Sequence, residues 1–312
     1  ALLEALTSRG LAADRARQRL ADARGLHARV QASGRTVQLR TFHSWFAALL
    51  RGAPLSVLQE LHLPPQYELQ EDDQPVLQRV WPRFYARVQG DAAARDDFFA
   101  SVQRVGRHQT LQALRKAAAR RVEFTLADAA GVVDRSVAGV AEAFPELDGF
   151  DTPTQWLLGA PRVRGVLQDA AIALGRASQK TFSAQGVLLE QALADHDADH
   201  VVQALLTKAT QEPRKFNEAL LRIDAIAAAQ ALALQYLQAE RQQTAWDHHQ
   251  RMARLTRILL ASYADLKHER GWVDMNDVEG AARRLLADAE LSGWLQQRLD
   301  ARVRHVLIDE FQ

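Results

Sequence analysis

From Phe216 to His268 no proline interrupts the chain, and apolar residues return at three- and four-residue intervals through Leu220, Ile223, Ile226, Leu232, Leu237, Trp246, Met252, Leu255, Ile258 and Leu259. That interval places them along one face of an α-helix. A proline would have removed a backbone donor and clashed with the preceding turn. Without one, the pattern admits either a single very long helix or two helices with an unmarked joint. Both solutions commit this part of the chain to helical packing.

The remainder points the same way. Only nine prolines and sixteen glycines are spread through 312 residues rich in Ala, Leu, Gln, Arg and Glu, which favour helices. Helical periodicity recurs over Leu11 to Val30, Val76 to Val88, Leu111 to Val122, Val166 to Leu174, Val187 to Leu193 and Val201 to Leu206. Gly25 is placed to divide the first of these, and Pro82 to kink or restart the second. Two stretches read as strands instead. Residues 35–40 alternate Val37 and Leu39 with polar neighbours, and Arg302 to Ile308 is an apolar run that follows a helical signal over Leu291 to Leu299. A lone pair of strands is marginal in water. The layout therefore predicts a mainly α protein, an incomplete α/β core of few strands carrying a large all-helical insertion.

Composition narrows the chemistry. With 47% hydrophobic residues the chain can build a core. Lys plus Arg number 39 against 38 acids, a net charge of +1, so only a local cluster could mark a nucleic-acid partner. The absence of cysteine excludes disulfides, thiolate zinc sites and cysteine nucleophiles, and fits a reducing cytoplasm. No stretch approaches the roughly 18 consecutive apolar residues of a membrane helix; a soluble, cytoplasmic protein is expected.

Two short segments carry candidate chemistry. "HVLIDEFQ", His305 to Gln312, sets Asp309 and Glu310 at the exit of an apolar strand. There one carboxylate can hold Mg²⁺ and its neighbour position an attacking water in phosphoryl transfer, while the plainer reading is a strand ending in solvated acids. "TFHSWFAALLR", Thr41 to Arg51, offers a hydroxyl and an imidazole to a phosphate. Thr41 could equally be only a helix cap and His43 a surface residue.

A third candidate is electrostatic. Gln103 to Arg121 carries Arg104, Arg107, Arg115, Lys116, Arg120 and Arg121 with no acid, and the i, i+4 pair Lys116 and Arg120 suggests either a phosphate track or a solvated basic face. His196 and His200 in "DHDADH" have metal-ligand spacing on a helix but no further ligand nearby. His248 and His249 read as exposed helix surface. A phosphate loop of the form G-x-x-x-x-G-K-[ST] does not occur; in "LGRASQKT", Leu174 to Thr181, Leu174 and Gln179 stand where the glycines must be.

Taken together, "TFHSWFAALLR" resembles the TFHS/TFHG segment of the UvrD/Rep/RecB class of superfamily 1 DNA helicases, and "HVLIDEFQ" resembles their Walker B segment, usually written DEFQD. "GWVDMNDV", Gly271 to Val278, is similar to the DFDDL stretch of that class, with Met275 in place of the usual Phe and Asn276 in place of the first Asp of the pair. Trp45 and the length of the insertion look most like the RecB/AddA helicase-nuclease subunits. The resemblance implies a RecA-like motor domain over 1–51 and 272–312, with 52–271 as its helical inserted subdomain. It implies that Thr41 and His43 lie near single-stranded DNA, that Asp309 serves Mg²⁺, that Glu310 activates water, and that Gln312 sits near the γ-phosphate. The expected function is ATP-dependent translocation along DNA and unwinding. Mg²⁺ and ATP would be the cofactors of an intact enzyme, and single-stranded DNA, a duplex junction and a second helicase-nuclease subunit its partners. Lacking a phosphate loop, the chain looks like a fragment that takes neither cofactor and turns over no ATP by itself. The competing expectation is a non-catalytic helical module that binds DNA or protein.

Overall fold

The computed structural model describes residues 2–34, 41–61, 63–64, 66–70, 72–289, 292–293 and 296–297. The chain divides into two compact units, one of Ala1–Asp73 with His268–Gln312 and one of Gln74–Lys267. The expected strands at 35–40 and 302–308 lie outside the described residues.

The first unit opens with three helices, α1 (Leu2–Ser8), α2 (Ala13–Gln18) and α3 (Leu20–Ala32). Gly25 does not divide α3; the break falls at Arg19, between α2 and α3. Then come α4 (Phe42–Arg51), α5 (Leu55–Glu60) and strand β1 (Glu68–Gln70). Val57, Leu58, Leu61 and Leu63 bury in one cluster with Ala47, Leu49 and Leu50. Val57, Leu58, Leu61, Leu63 and Leu69, in the stretch assigned from the sequence to the insertion, therefore pack in this unit, because their apolar side chains join the cluster of α4.

The second unit is entirely helical among the described residues apart from an isolated bridge between Leu206 and Pro213. In order it contains α6 (Asp73–Gly90), α7 (Ala92–Val105), α8 (Arg107–Ala119), α9 (Arg121–Ala129), α10 (Val132–Arg135), α11 (Val140–Ala143), a 3-10 turn at Pro145–Leu147, α12 (Pro153–Gly159), α13 (Pro161–Gly175), α14 (Lys180–Ala194), α15 (Ala198–Leu205), α16 (Glu218–Leu221) and α17 (Asp224–Arg270). Helix α6 runs through Pro82 without restarting. Pro82 and Gln78, whose carbonyl loses its donor, are both exposed, so the missing bond falls on the solvated side of the helix.

The joint left open by the sequence lies at Arg222 and Ile223, between α16 and α17. Beyond it, 47 residues form one helix, about 70 Å long at 1.5 Å per residue. A helix of that length is not held by one core. Ile226, Ala229, Ala233, Tyr236 and Ala239 bury in a cluster built from α12 to α15. Ala253, Leu255, Leu259, Tyr263 and Leu266 form a second buried stretch, while nothing between Ala239 and Ala253 is buried. Polar bonds hold that middle.

Strand β2 (Trp272–Asp274) and helix α18 (Met275–Ala287) return the chain to the first unit. β2 pairs parallel to β1 in the register Glu68↔Trp272, Leu69↔Val273 and Gln70↔Asp274. Three residues are too few to show alternation, so neither strand was legible as such in the sequence. Between α17 and β2 stands Gly271 at φ +65, where an added Cβ would come within 3.3 Å of the Gln66 carbonyl oxygen; both the left-handed turn and the close backbone favour glycine. Val273, Val278, Ala281 and Leu285 complete the cluster under α4. The fold is mainly α, with an incomplete α/β core.

Candidate nucleic-acid interface

Helix α4 starts where the sequence placed it. Thr41 is its N-cap in extended conformation, and its hydroxyl oxygen accepts the Ser44 N–H at 3.3 Å. Ser44 in turn donates its hydroxyl to the Thr41 carbonyl at 3.0 Å. Trp45 and Phe46 pack edge-on, 5.0 Å apart. His43 lies in the first turn of α4, and its side chain is outside what the structure describes. Thr41 thus does cap the helix, and being exposed its hydroxyl keeps a proton to donate outward.

One face of α4 lines a groove. Thr41 at the cap and Ser44, Ala48 and Arg51 from the helix contribute, with Leu69 from β1 and Met275 from α18, and no acid is among the described lining residues. Tyr67 donates its hydroxyl to the Ala47 carbonyl at 3.3 Å. Burial pushes the Tyr67 phenol up, and the neighbouring Arg51 guanidinium works against that rise. Ser44, Arg51, Leu69 and Met275 were missed by sequence reasoning as groove residues. For the first two the helical spacing from Thr41 was a usable signal; for Leu69 and Met275 nothing short of the fold was.

The stretch "GWVDMNDV" becomes β2 and the start of α18. Asp274 is fully buried and caps α18 through a capping box: its carboxylate accepts the Asp277 N–H at 3.0 Å, and the Asp277 carboxylate accepts the Asp274 N–H at 2.9 Å. Trp272 donates its indole N–H to Glu68 at 3.2 Å.

In the second unit the basic segment does not act as one body. Arg115 stacks over Trp81, 5.6 Å from the ring centroid, and Arg121 is buried over Tyr263 at 4.9 Å. Arg104, Arg107, Lys116 and Arg120 are exposed. Arg120 is the residue at which α8 gives way to α9.

The long helix carries an arrangement that the sequence did not announce. Asp97 of α7 receives two bonds from Arg254 at 2.7 and 2.8 Å and has Arg251 at 4.0 Å. Arg257 joins Asp128 and Asp134 together, which raises its own pKa and lowers that of Asp128. Earlier on α17, His249 donates its Nε2–H to the Val133 carbonyl at 2.6 Å, Gln250 donates to the Asp134 carbonyl at 2.9 Å, and Gln242 donates to the Ala138 carbonyl at 2.6 Å. His248 is half-buried with its Nδ1 enclosed and without a partner among the described residues. Burial, then Arg104, Arg251 and His249, hold its pKa below the ordinary value. Neither histidine is exposed surface: the 132–138 segment packs on His249, and His248 is half-buried beside Arg104 and Arg251.

The other histidine pair is not on one helix. His196 sits at φ +54 in the turn before α15, while His200 lies within α15 and places Nδ1 2.6 Å from the carboxylate of Asp197, the helix N-cap. Among the described residues no group of three or more His, Asp or Glu could hold a metal ion. Leu174 to Thr181 forms the turn from α13 into α14, with Lys180 opening the helix, so no phosphate cradle exists there. Asp309, Glu310 and Gln312 lie outside the described residues. No described helix is long and apolar enough to cross a membrane.

No curated protein and no solved structure matches the chain. Residues 166–312, from within α13 to the terminal "DEFQ", match the family model of the UvrD/REP helicase N-terminal domain, and that match supports a UvrD/Rep-class superfamily 1 helicase.

Proposed function

We propose that this chain supplies part of the motor of an ATP-dependent DNA helicase of the helicase-nuclease kind, in which ATP hydrolysis drives movement along DNA and unwinding. The observation that carries the reading is the family match, which takes in both "GWVDMNDV" and the paired carboxylates Asp309 and Glu310. Support from outside the matched segment comes from Thr41, which opens a groove with no acid among its described lining residues. In this reading the first compact unit is the RecA-like part and the second the inserted subdomain. Asp309 would hold Mg²⁺, Glu310 would activate the attacking water, and Gln312 would face the γ-phosphate. Thr41 and His43 would meet single-stranded DNA, while Arg104, Arg107, Arg115, Lys116 and Arg120 would face the strand or a duplex junction. ATP binding needs a glycine-rich loop that these 312 residues do not contain. A second helicase-nuclease subunit and a cytoplasmic location go with the same reading.

The test has two parts. The chain should bind labelled oligothymidylate with an affinity that falls as salt rises. In a polypeptide that also carries a phosphate loop, DNA-stimulated ATP turnover should disappear on Glu310→Gln while DNA binding persists. A chain without affinity for single strands, or turnover indifferent to Glu310→Gln, would overturn the proposal.

A further inference from the structure

We infer that residues 131–139 are a latch laid along the middle of α17, and that its release lets the helix give way within residues 240–252, so that the helices on either side move as two lobes. The inference is independent of the proposed motor role.

The distribution of the core is its first support. Between Ile226 and Ala239, α17 buries against α12 to α15, in a cluster that also takes in Val140 at the start of α11. Residues 253–266 hold the other buried stretch. They lie among ties to α6, α7 and the joint of α8 with α9: Arg87 to Asp265, Asp97 to Arg254, and Arg121 over Tyr263. From Glu240 to Met252 no side chain is buried. A helical stretch of about 13 residues without a packed face is marginal in water, and low local burial marks a segment that opens before the rest.

The way this stretch is held is the second. The chain passes between the lobes twice, through the middle of α17 and through the residues that join α9 to α11. Side chains of the first crossing donate to carbonyls of the second, Gln250 to Asp134, His249 to Val133 and Gln242 to Ala138. Ser136 Oγ stands 3.1 Å from the same His249 Nε2, and a Cβ added to Gly139 would lie 3.8 Å from the indole nitrogen of Trp246. Every one of these α17 residues falls in the stretch without buried side chains. Such bonds contribute little net free energy, because water replaces either partner. They can therefore break and re-form, unlike the apolar clusters at the two ends.

The third support is the backbone of the latch. Gly131 leaves α9 at φ +66, a left-handed turn that favours glycine. Only the four-residue helix α10 follows before α11. Val133 is buried near one end and Val140 just past the other, while residues 134–139 carry no buried side chain. The latch is thus anchored at its ends and held along its length by α17 alone among the contacts described.

The chain contains no cysteine, so spin labels can be attached without competing thiols. The pair Gln112→Cys and Gln168→Cys joins α8 to α13 across the lobes, and Gln168→Cys with Gln191→Cys stays within one; all three sites are exposed. Pulsed electron resonance distances are measured on the 312-residue chain with and without the latch substitutions Gln242→Ala and Gln250→Ala. The cross-lobe distribution should broaden or split on removing the latch, with the other pair unchanged. Hydrogen exchange of the unaltered chain should be about tenfold or more faster over residues 243–250 than over 229–236 and 256–263, and each latch substitution should speed it about threefold to tenfold further. Equal protection along α17 in the unaltered chain, a cross-lobe distribution that ignores the substitutions, or equal broadening of both pairs would overturn the inference. Should a substituted chain not fold, exchange in the unaltered chain decides by itself.

Discussion

The Asp97 carboxylate on α7 receives both the Nε–H and the Nη2–H of Arg254 on α17, at 2.7 and 2.8 Å, and its side chain is only 11% exposed. This forked pair, and not apolar packing alone, fixes where α7 meets the long helix. Arg254 is half exposed, so solvent screens part of the attraction. Asp97→Ala should therefore cost only about 1–2 kcal/mol. The loss should appear as faster hydrogen exchange in α7 and in residues 250–260 of α17, with α13 to α15 unaffected.

Gly186 of α14 crosses α13 with almost no clearance. A Cβ there would stand 2.2 Å from the Gly175 nitrogen and 2.8 Å from the Ala171 carbonyl oxygen, both backbone atoms that cannot swing aside. Gly186→Ala should destabilise the second unit by about 1–3 kcal/mol or more through overpacking. At Gly165 in α13 nothing lies within 4 Å of the added atom, so Gly165→Ala should be neutral or gain up to about 1 kcal/mol. Urea melts of the two variants give the comparison.

The enclosed Nδ1 of His248 suits the lone pair of a neutral ring, and a proton placed there would find no acceptor among the described residues. Arg104, Arg251 and His249 add like charge, and Asp97 faces the seam through Arg251. Because the folded pKa lies below the ordinary 6.5, the unfolded chain binds the proton more readily. The stabilisation is complete above pH 6.5 and is lost as pH falls from there through the lowered folded value. Stability followed by denaturant melts between about pH 7 and about pH 5 should decline in wild type more steeply than in His248→Gln.

Lys116, Arg120 and Arg115 are all exposed, and Arg115 also stacks over Trp81. If the pair tracks phosphate, Lys116→Glu with Arg120→Glu should lower the salt slope of DNA binding by about 1.4–1.8, at ~0.7–0.9 per contact. Arg115→Ala should reduce the slope less and disturb the Trp81 environment, visible in tryptophan fluorescence. Unchanged affinity and slope in the double reversal would leave these residues as a solvated face.

Asp274 caps α18 from a fully buried position and shares its capping box with Asp277. Asp274→Ala should cost about 1–2 kcal/mol, the upper part of the range for a lost cap. Circular dichroism with a thermal melt should show the loss, and Asn at 274 should recover most of it because its side-chain oxygen still accepts the Asp277 N–H.

Much of this was legible beforehand. The cap at Thr41 was readable because a hydroxyl before an apolar 3.6-residue pattern satisfies an orphan donor locally. The strands were not, since β1 and β2 are three residues each and exist only through their pairing. The seam at His249 was hidden for a related reason: the carbonyls of Val133, Asp134 and Ala138, bonded by His249, Gln250 and Gln242, lie more than a hundred residues away, and a backbone carbonyl carries no signature in sequence. Asp309 and Glu310 were readable only through the resemblance of their segment to Walker B, and they stand outside the described residues.

What the amino-acid order determined alone is whatever depends on near neighbours. Absence of helix breakers made α17 continuous, apolar spacing chose its faces, and the lack of a glycine-rich lysine loop removed a phosphate cradle from these 312 residues. Tertiary structure decided which charges stay exposed. Arg115 and Arg121 look alike in the chain, but Arg121 is buried over Tyr263, while Arg115 stacks over Trp81 and remains exposed, as does Arg51. The reason is that pairing of a charge depends on distance in space, which local periodicity does not encode.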